Sequence, residues 1–445
     1  MVDGASPAGY TNTRDPPSPH PPFLDLPHRN TPRGRPVIRK ESSEGIGYSV
    51  VELHGVRHVY AAAVPRAGGT LRQQAEDALR TIRGVMDEEG TRGSIVQQAV
   101  FLHDAARLDE YREIIREFYG DELPATTYVP QRPCQGKLLA IEALGVGRGA
   151  PSGSGEVQIE RLSEQLVIAR HNGIAFIHGS HVVPDTPADG CYERSSSAFQ
   201  KMNALLATAG ISFHQVIRTW LYLGGIVDRE GPTQRYKELN RARTDFYQNI
   251  RFDAAHATPG RAPSGSEAVY PASTGIGADN RDILMSCVAL ATDRKDVKVV
   301  PLENPRQVSA YCYSSDYGLK SPKFSRALAL TAGTCGTIFI SGTASITDSE
   351  SRHQDDVEAQ TEQTLDNIEA LIAEDNLRRH GLPGLGAAMA DLALARVYIK
   401  RQEDYPKARA VCRRRLGELP TIYAVADVCR PELLVEIEGI AFSGR

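Results

Sequence analysis

The sequence predicts an α/β (α+β) protein of three tandem β-β-α-β-α-β-β units, a single chain folded as a pseudo-trimer. Three observations carry this reading. An apolar stripe with helical spacing occurs three times, as Leu79, Ile82, Val85 and Met86, as Phe199, Met202, Leu205 and Leu206, and as Leu365, Ile368, Leu371 and Ile372. Each stripe runs into a β-rich stretch, "SIVQQAVFLHD", "QVIRTWLYLGG" and "DLALARVYIKR". Each copy then closes on an apolar strand, "KLLAIEALGV", "DILMSCVALAT" and "ELLVEIEGIA".

Taken in chain order, residues 1–44 are expected to be disordered. Nine of the 27 prolines fall between Pro7 and Pro36, and such a stretch neither buries apolar surface nor sustains a hydrogen-bond ladder. The first unit, 45–147, places its second helix at "LDEYREIIREFYG". Residues 148–158 read as a linker, because the stretch "GVGRGAPSGSG", Gly145 to Gly155, has the glycines of a phosphate loop but opens no helix. The second unit, 159–293, begins with the Asn-Gly hairpin of "QLVIARHNGIAFIHGSHVV" and has its second helix at "TQRYKELNRARTDFY". The third, 294–445, begins with the Cys-Gly hairpin of "ALTAGTCGTIFISGTASI" and has its second helix at "DYPKARAVCRRRL". Two helices per unit suffice to cover one face of a sheet.

Composition narrows the partners. With 51 basic and 55 acidic residues the net charge is -4, which argues against nucleic acid and anionic membrane surfaces. No apolar run approaches the roughly 20 residues that cross a bilayer. Seven cysteines without a CxxC pair read as free thiols of a reducing compartment, so a cytoplasmic location is expected. No cofactor or metal is expected. His353, Asp355 and Asp356 in "RHQDD" precede a helix and read as its cap. Trp220 and Tyr222 read as packing residues, and His214 and His256 have no partner pattern.

The last strand carries two carboxylates, Glu436 and Glu438, which share a face because side chains alternate along a strand. Aligned on apolar residues, Glu436 stands opposite Ala140 and Ser286, whereas Glu438 stands opposite Glu142 and Val288. Only the third copy keeps an acid at the first position. Glu436 can serve as an acid in a cleft or as a salt-bridge partner of an arginine between repeats, and both readings stay open.

The repeated unit with its "VEIEGIA" ending resembles the Rid (YjgF) family. Over about residues 160–445, "VIRTWLYLGGI", "RYKELNRAR", "YPASTGIGA", "ENPRQVSAYCYSSDYGLKSPKFSRAL", "FISGTASI", "HQDDVEAQTEQTLDNI" and "ADVCRPELLVEIEG" resemble, in order and spacing, the chorismatases, Rid-like enzymes that remove pyruvate from chorismate. Residues 46–147 share only the repeat pattern. Two departures are Leu221, where the family usually has Asn, and Lys400, where it tends to have Arg.

The resemblance implies chorismate as a small-molecule substrate and Glu436 as general acid and base. It implies Arg243, Arg326 and Arg409 as binders of the dianion, with Tyr236 and Tyr317 as hydroxyl donors; a lone helical arginine is otherwise a solvated charge. Cys429 and Gly342 resemble the residues of chorismatases that make 3-hydroxybenzoate, although a cysteine in an apolar strand otherwise simply packs. The rival expectations are a Rid-type imine or enamine deaminase and a non-catalytic ligand-binding or assembly protein. A monomer is expected, since one chain holds all three units.

Overall fold

The structure, a computed structural model, describes Met1 and residues 36–91, 93–148, 156–185, 190–252, 269–313 and 320–444. The Pro-rich stretch up to residue 35, the centre of the expected linker, His256 and Tyr317 lie outside the described residues.

The first sheet is built from β1 (Val37–Ser43), β2 (Ile46–Leu53), β3 (Val56–Ala63), α1 (Leu71–Glu88), β4 (Ile95–Leu102), α2 (Leu108–Tyr119), β5 (Ala125–Val129) and β6 (Leu139–Arg148). The second follows as β7 (Gln158–Ser163), β8 (Leu166–His171), β9 (Ile174–Val182), α3 (Cys191–Ala207), β10 (Val216–Gly224), the short pair β11 (Arg229–Glu230) and β12 (Thr233–Gln234), α4 (Arg235–Tyr247), β13 (Ala272–Ala278) and β14 (Ile283–Thr292). The third comprises β15 (Val297–Leu302), β16 (Ala327–Ala332), β17 (Cys335–Ala344), the short pair β18 (Ile346–Thr347) and β19 (Glu350–Ser351), α5 (Val357–Ile372), α6 (Glu374–Arg379), β20 (Leu392–Ile399), α7 (Tyr405–Leu416), β21 (Thr421–Val425) and β22 (Val435–Gly444).

All three six-stranded sheets have one topology, β1-β2-β3-β6-β4-β5 and its counterparts β7-β8-β9-β14-β10-β13 and β15-β16-β17-β22-β20-β21. One pair in each is parallel, β4 with β5, β10 with β13 and β20 with β21. Each unit therefore has one strand more than the sequence pattern predicts. The added strands β1, β7 and β15 lie at sheet edges, and "VIRKESS" and "QIERLS" carry the charges that an edge tolerates, which hides them from a search for apolar runs. β1 also lies inside the stretch expected to be disordered, which corrects that boundary.

Helices cover one face of each sheet. In the third, Leu365, Ile368 and Leu371 of α5 and Val411 of α7 pack against Val435 and Ile437 of β22. The alternate residues of β22 face the other way, into a core shared with Tyr60 of the first sheet and Tyr222 of the second. The sheets touch in a ring: β5 lies beside β9, β13 beside β17, and β21 beside β3. Cys134 N donates to Tyr423 O at 3.0 Å and Ser325 N to Pro271 O at 3.2 Å across two of these contacts. At the head of α5, Asp356 accepts a hydrogen bond from Ala359 N, as expected of the "RHQDD" run. None of the helices among the described residues is long and apolar enough to cross a membrane.

Candidate active site

Register corrects the comparison of the closing strands. Glu436 of β22 lies opposite Tyr398 of β20; the same position pairs Leu284 with Tyr222 in the second sheet and Ala140 with Phe101 in the first. Glu438, opposite Arg396, corresponds to Ser286 and Glu142. Ser286 thus matches Glu438 rather than Glu436. The strand "ILMSCVALAT" is apolar on both faces, so a slide of two residues leaves its pattern unchanged.

The two glutamates meet different surroundings. Glu438 accepts from Arg218 Nη2 at 2.7 Å, Trp220 Nε1 at 2.8 Å and Tyr398 Oη at 3.2 Å, and also from Thr274 Oγ1. Arg396 Nη1 stands 3.1 Å from it while its Nε and Nη2 grip Glu142 at 2.6 and 2.7 Å. One arginine thereby ties the first sheet to the third, and Arg218 ties the second to the third. Burial works to raise the Glu438 carboxyl, but Arg218 and Arg396 outweigh it and leave it below the ordinary range. Trp220 and Tyr222 belong to this buried network, Tyr222 accepting from Arg396 at 2.9 Å.

Glu436 takes part in no ion pair among the described residues. Its carboxyl is pushed up to about 8, first by burial and then by the charge of Glu438, with Arg218 and Arg326 pulling the other way. At neutral pH it is a buried carboxylic acid, 4% exposed. It lines a cavity of about 230 Å3 between the second and third sheets.

That cavity also brings together Cys429, Arg243, Tyr236, Arg326 and Gly342. Tyr236, Asn240 and Arg243 lie along one face of α4, at spacings of four and three residues. Arg243 is 1% exposed, with Nη2 on Asn240 Oδ1 and Nη1 3.4 Å from Ser273 Oγ. Arg326 precedes β16 and gives Nη2 to Val308 O at 2.8 Å and Tyr313 Oη at 2.6 Å. Neither guanidinium has a carboxylate within salt-bridge reach among the described residues, and both Nε atoms lack a hydrogen-bond partner. The Phe324 ring stands 5.7 Å from the Arg243 guanidinium and 5.5 Å from that of Arg326.

Gly342 on β17 makes room for the acid: a Cβ there would fall on Glu436 Oε1, while its N–H is fixed 3.0 Å from Thr274 Oγ1. Cys429 lies in the turn between β21 and β22, not on a strand as the sequence suggested. Burial, followed by the proximity of Glu436, pushes its thiol up to about 12, so it is neutral. Burial likewise raises the Tyr236 phenol, keeping its hydroxyl a donor.

Arg409 is the expected residue that the structure does not bring to this cavity. It is exposed on α7, in the helical layer, whereas the cavity opens on the opposite face of the third sheet. Sequence reasoning missed Asn240, Ser273, Thr274, Tyr313, Phe324 and Arg430. Asn240 was legible in "RYKELNRAR", three residues before Arg243, and Tyr313 stands four residues before the chosen Tyr317. Thr274 and Ser273 carry no signal in a strand whose burial the sequence does not mark. No cluster of His, Cys, Asp and Glu suited to a metal occurs among the described residues.

Residues 320–443 match the family described as Endoribonuclease L-PSP. Over 277 residues the chain is 34% identical to a 3-hydroxybenzoate synthase of Streptomyces hygroscopicus, covering 61% of this chain and 74% of that protein. It is also 34% identical over 277 residues to a chorismatase of Streptomyces rapamycinicus, covering 61% of this chain and 77% of that one. A crystal structure of a chorismatase matches with a TM-score of 0.59 at 24% identity, over 78% of this chain and 93% of its own, which speaks for the fold. Identity of that level over that share of the relatives means that this chain belongs to the chorismatase family.

Proposed function

We propose that the chain cleaves chorismate to pyruvate and 3-hydroxybenzoate, with Glu436 as general acid and base. The observation that carries this is one cavity lined by a neutral carboxylic acid and by two buried arginines that lack carboxylate partners among the described residues. Two buried guanidiniums without a carboxylate partner among the described residues suit a dianion, and chorismate is one.

Cleavage of its enol ether begins with a proton delivered to the terminal CH2 carbon, giving an oxocarbenium ion. Glu436 can make that delivery because it keeps its proton at neutral pH. Arg243 and Arg326 would hold the substrate carboxylates, and Tyr236 would donate to an oxygen. Chorismate divides into pyruvate and 3-hydroxybenzoate with no net water; the hydrolytic outcome adds one water and gives a dihydroxy-cyclohexadiene carboxylate. Support for the first outcome comes from the resemblance at Cys429 and Gly342 to chorismatases that make 3-hydroxybenzoate, and from Cys429 lying as a neutral thiol in the cavity wall near the acid. The cytoplasm is the location proposed for this activity.

Incubation of the purified protein with chorismate tests the reading, with pyruvate and 3-hydroxybenzoate expected in equal amounts. Pyruvate with the diene product would reassign the outcome. Ammonia from small imines without pyruvate from chorismate would select a deaminase, and neither product a non-catalytic protein.

A further inference from the structure

A second cavity of about 130 Å3 lies where the three sheets converge, and Glu436 is not among its lining residues. Its walls are layered by register. At one level Tyr60, His178 and Phe339 take equivalent places on β3, β9 and β17, opposite Leu144, Val288 and Ile440. At the next, His58, Phe176 and Thr337 do so, opposite Val146, Leu290 and Phe442. The floor is the Glu142, Arg396, Glu438, Arg218 and Trp220 network, and the rim includes the exposed His54, whose Nε2 stands 3.2 Å from Ala332 O.

We propose that this cavity is a binding site for a small uncharged aromatic molecule bearing a hydroxyl, that is, a phenol. Size, charge and hydrogen bonding converge on that class. Protein interiors are close-packed, and a cavity of about 150 Å3 lined by apolar side chains is enough to admit benzene. Each floor arginine already faces a carboxylate, Arg218 with Glu438 and Arg396 with Glu142, and Arg294 at the rim pairs with Asp296. No cation among these is left for an anionic ligand.

The wall carries the polar side chains of Tyr60, Gln97, Asn172 and Thr337 as well as imidazoles, and two of the imidazoles keep an unpartnered nitrogen. His58 and His171 are 7% and 6% exposed, stand 5.2 Å apart in an edge-on pair, and each leaves Nδ1 without a hydrogen-bond partner. Burial keeps both rings neutral, His58 pushed down to about 3 and His171 to about 4. A neutral hydroxyl, both donor and acceptor, matches such groups, whereas a carboxylate would be desolvated without compensation.

Trp220 is the only tryptophan of the chain and belongs to the cavity floor, so its fluorescence reports occupancy. Phenol is expected to change that emission saturably, and benzoate is not. Thr337→Phe introduces the ring that the second sheet already carries at the same register, Phe176, and should abolish the phenol response by filling the space. Phenol soaked into crystals of the wild-type chain should appear between the three sheets, which keeps the test independent of how the variant folds. An absent saturable response, a response unchanged in Thr337→Phe, benzoate binding as well as phenol, or an empty cavity in the soaked crystal would each overturn the proposal.

Discussion

Glu436 and Glu438 leave β22 on the same face two residues apart, yet Glu438 receives Arg218, Trp220 and Thr274 from the second sheet, whereas Glu436 is held as a neutral acid facing a cavity. One carboxylate is committed to joining the sheets and the other has no ion-pair partner among the described residues.

Glu436→Gln is expected to abolish pyruvate release while stabilising the fold. The carboxyl is raised from 4.5 to about 8, so between those pH values the unfolded chain gives up a proton that the folded chain retains. Stability therefore falls as pH rises through that window, and the glutamine variant escapes the penalty, by on the order of 3 kcal/mol at pH 7. Urea denaturation should show the gain at pH 7 and its disappearance below pH 4.5.

Glu438→Gln should do the reverse to stability. It leaves Arg218 and Arg396 buried with less compensation, a loss of about 3–5 kcal/mol that thermal melting would register. Removing this charge also removes one cause of the high Glu436 value, so the alkaline limb of any remaining activity should move to lower pH.

Gly342→Ala should displace the acid rather than unfold the chain, because the new methyl would meet the movable end of the Glu436 side chain. A fall in kcat of about 10- to 100-fold with a nearly unchanged melting temperature is expected. An unaltered kcat would show that the carboxyl position is not critical.

Arg243→Met and Arg326→Met should each lower kcat/KM by about 100-fold or more, since each removes a buried guanidinium proposed to hold a substrate carboxylate. Arg409→Ala, on the exposed face of α7, should leave turnover unchanged and stability within about 0.5 kcal/mol.

The parts of this arrangement that were legible in the sequence are those with a period. The stripes of α1, α3 and α5 and the closing strands β6, β14 and β22 stand out because one side of each must be apolar. Edge strands such as β7 are half in solvent and lose that signal. The exceptional place of Glu436 was visible as an acid replacing a small residue, but its true counterpart in β14 is Leu284, which a doubly buried strand conceals. Arg409 misled because an arginine in the right motif says nothing about which side of the sheet its helix covers. The role of Glu438 needed three dimensions, since its partners Arg218, Thr274 and Arg396 are scattered over three strands.

The pH dependence of kcat for pyruvate release from chorismate tests the central claim most directly. A protonated Glu436 as proton donor predicts a plateau near neutral pH and a tenfold fall per pH unit above about 8. A kcat that stays level, or rises, as the pH is taken through that value would contradict it.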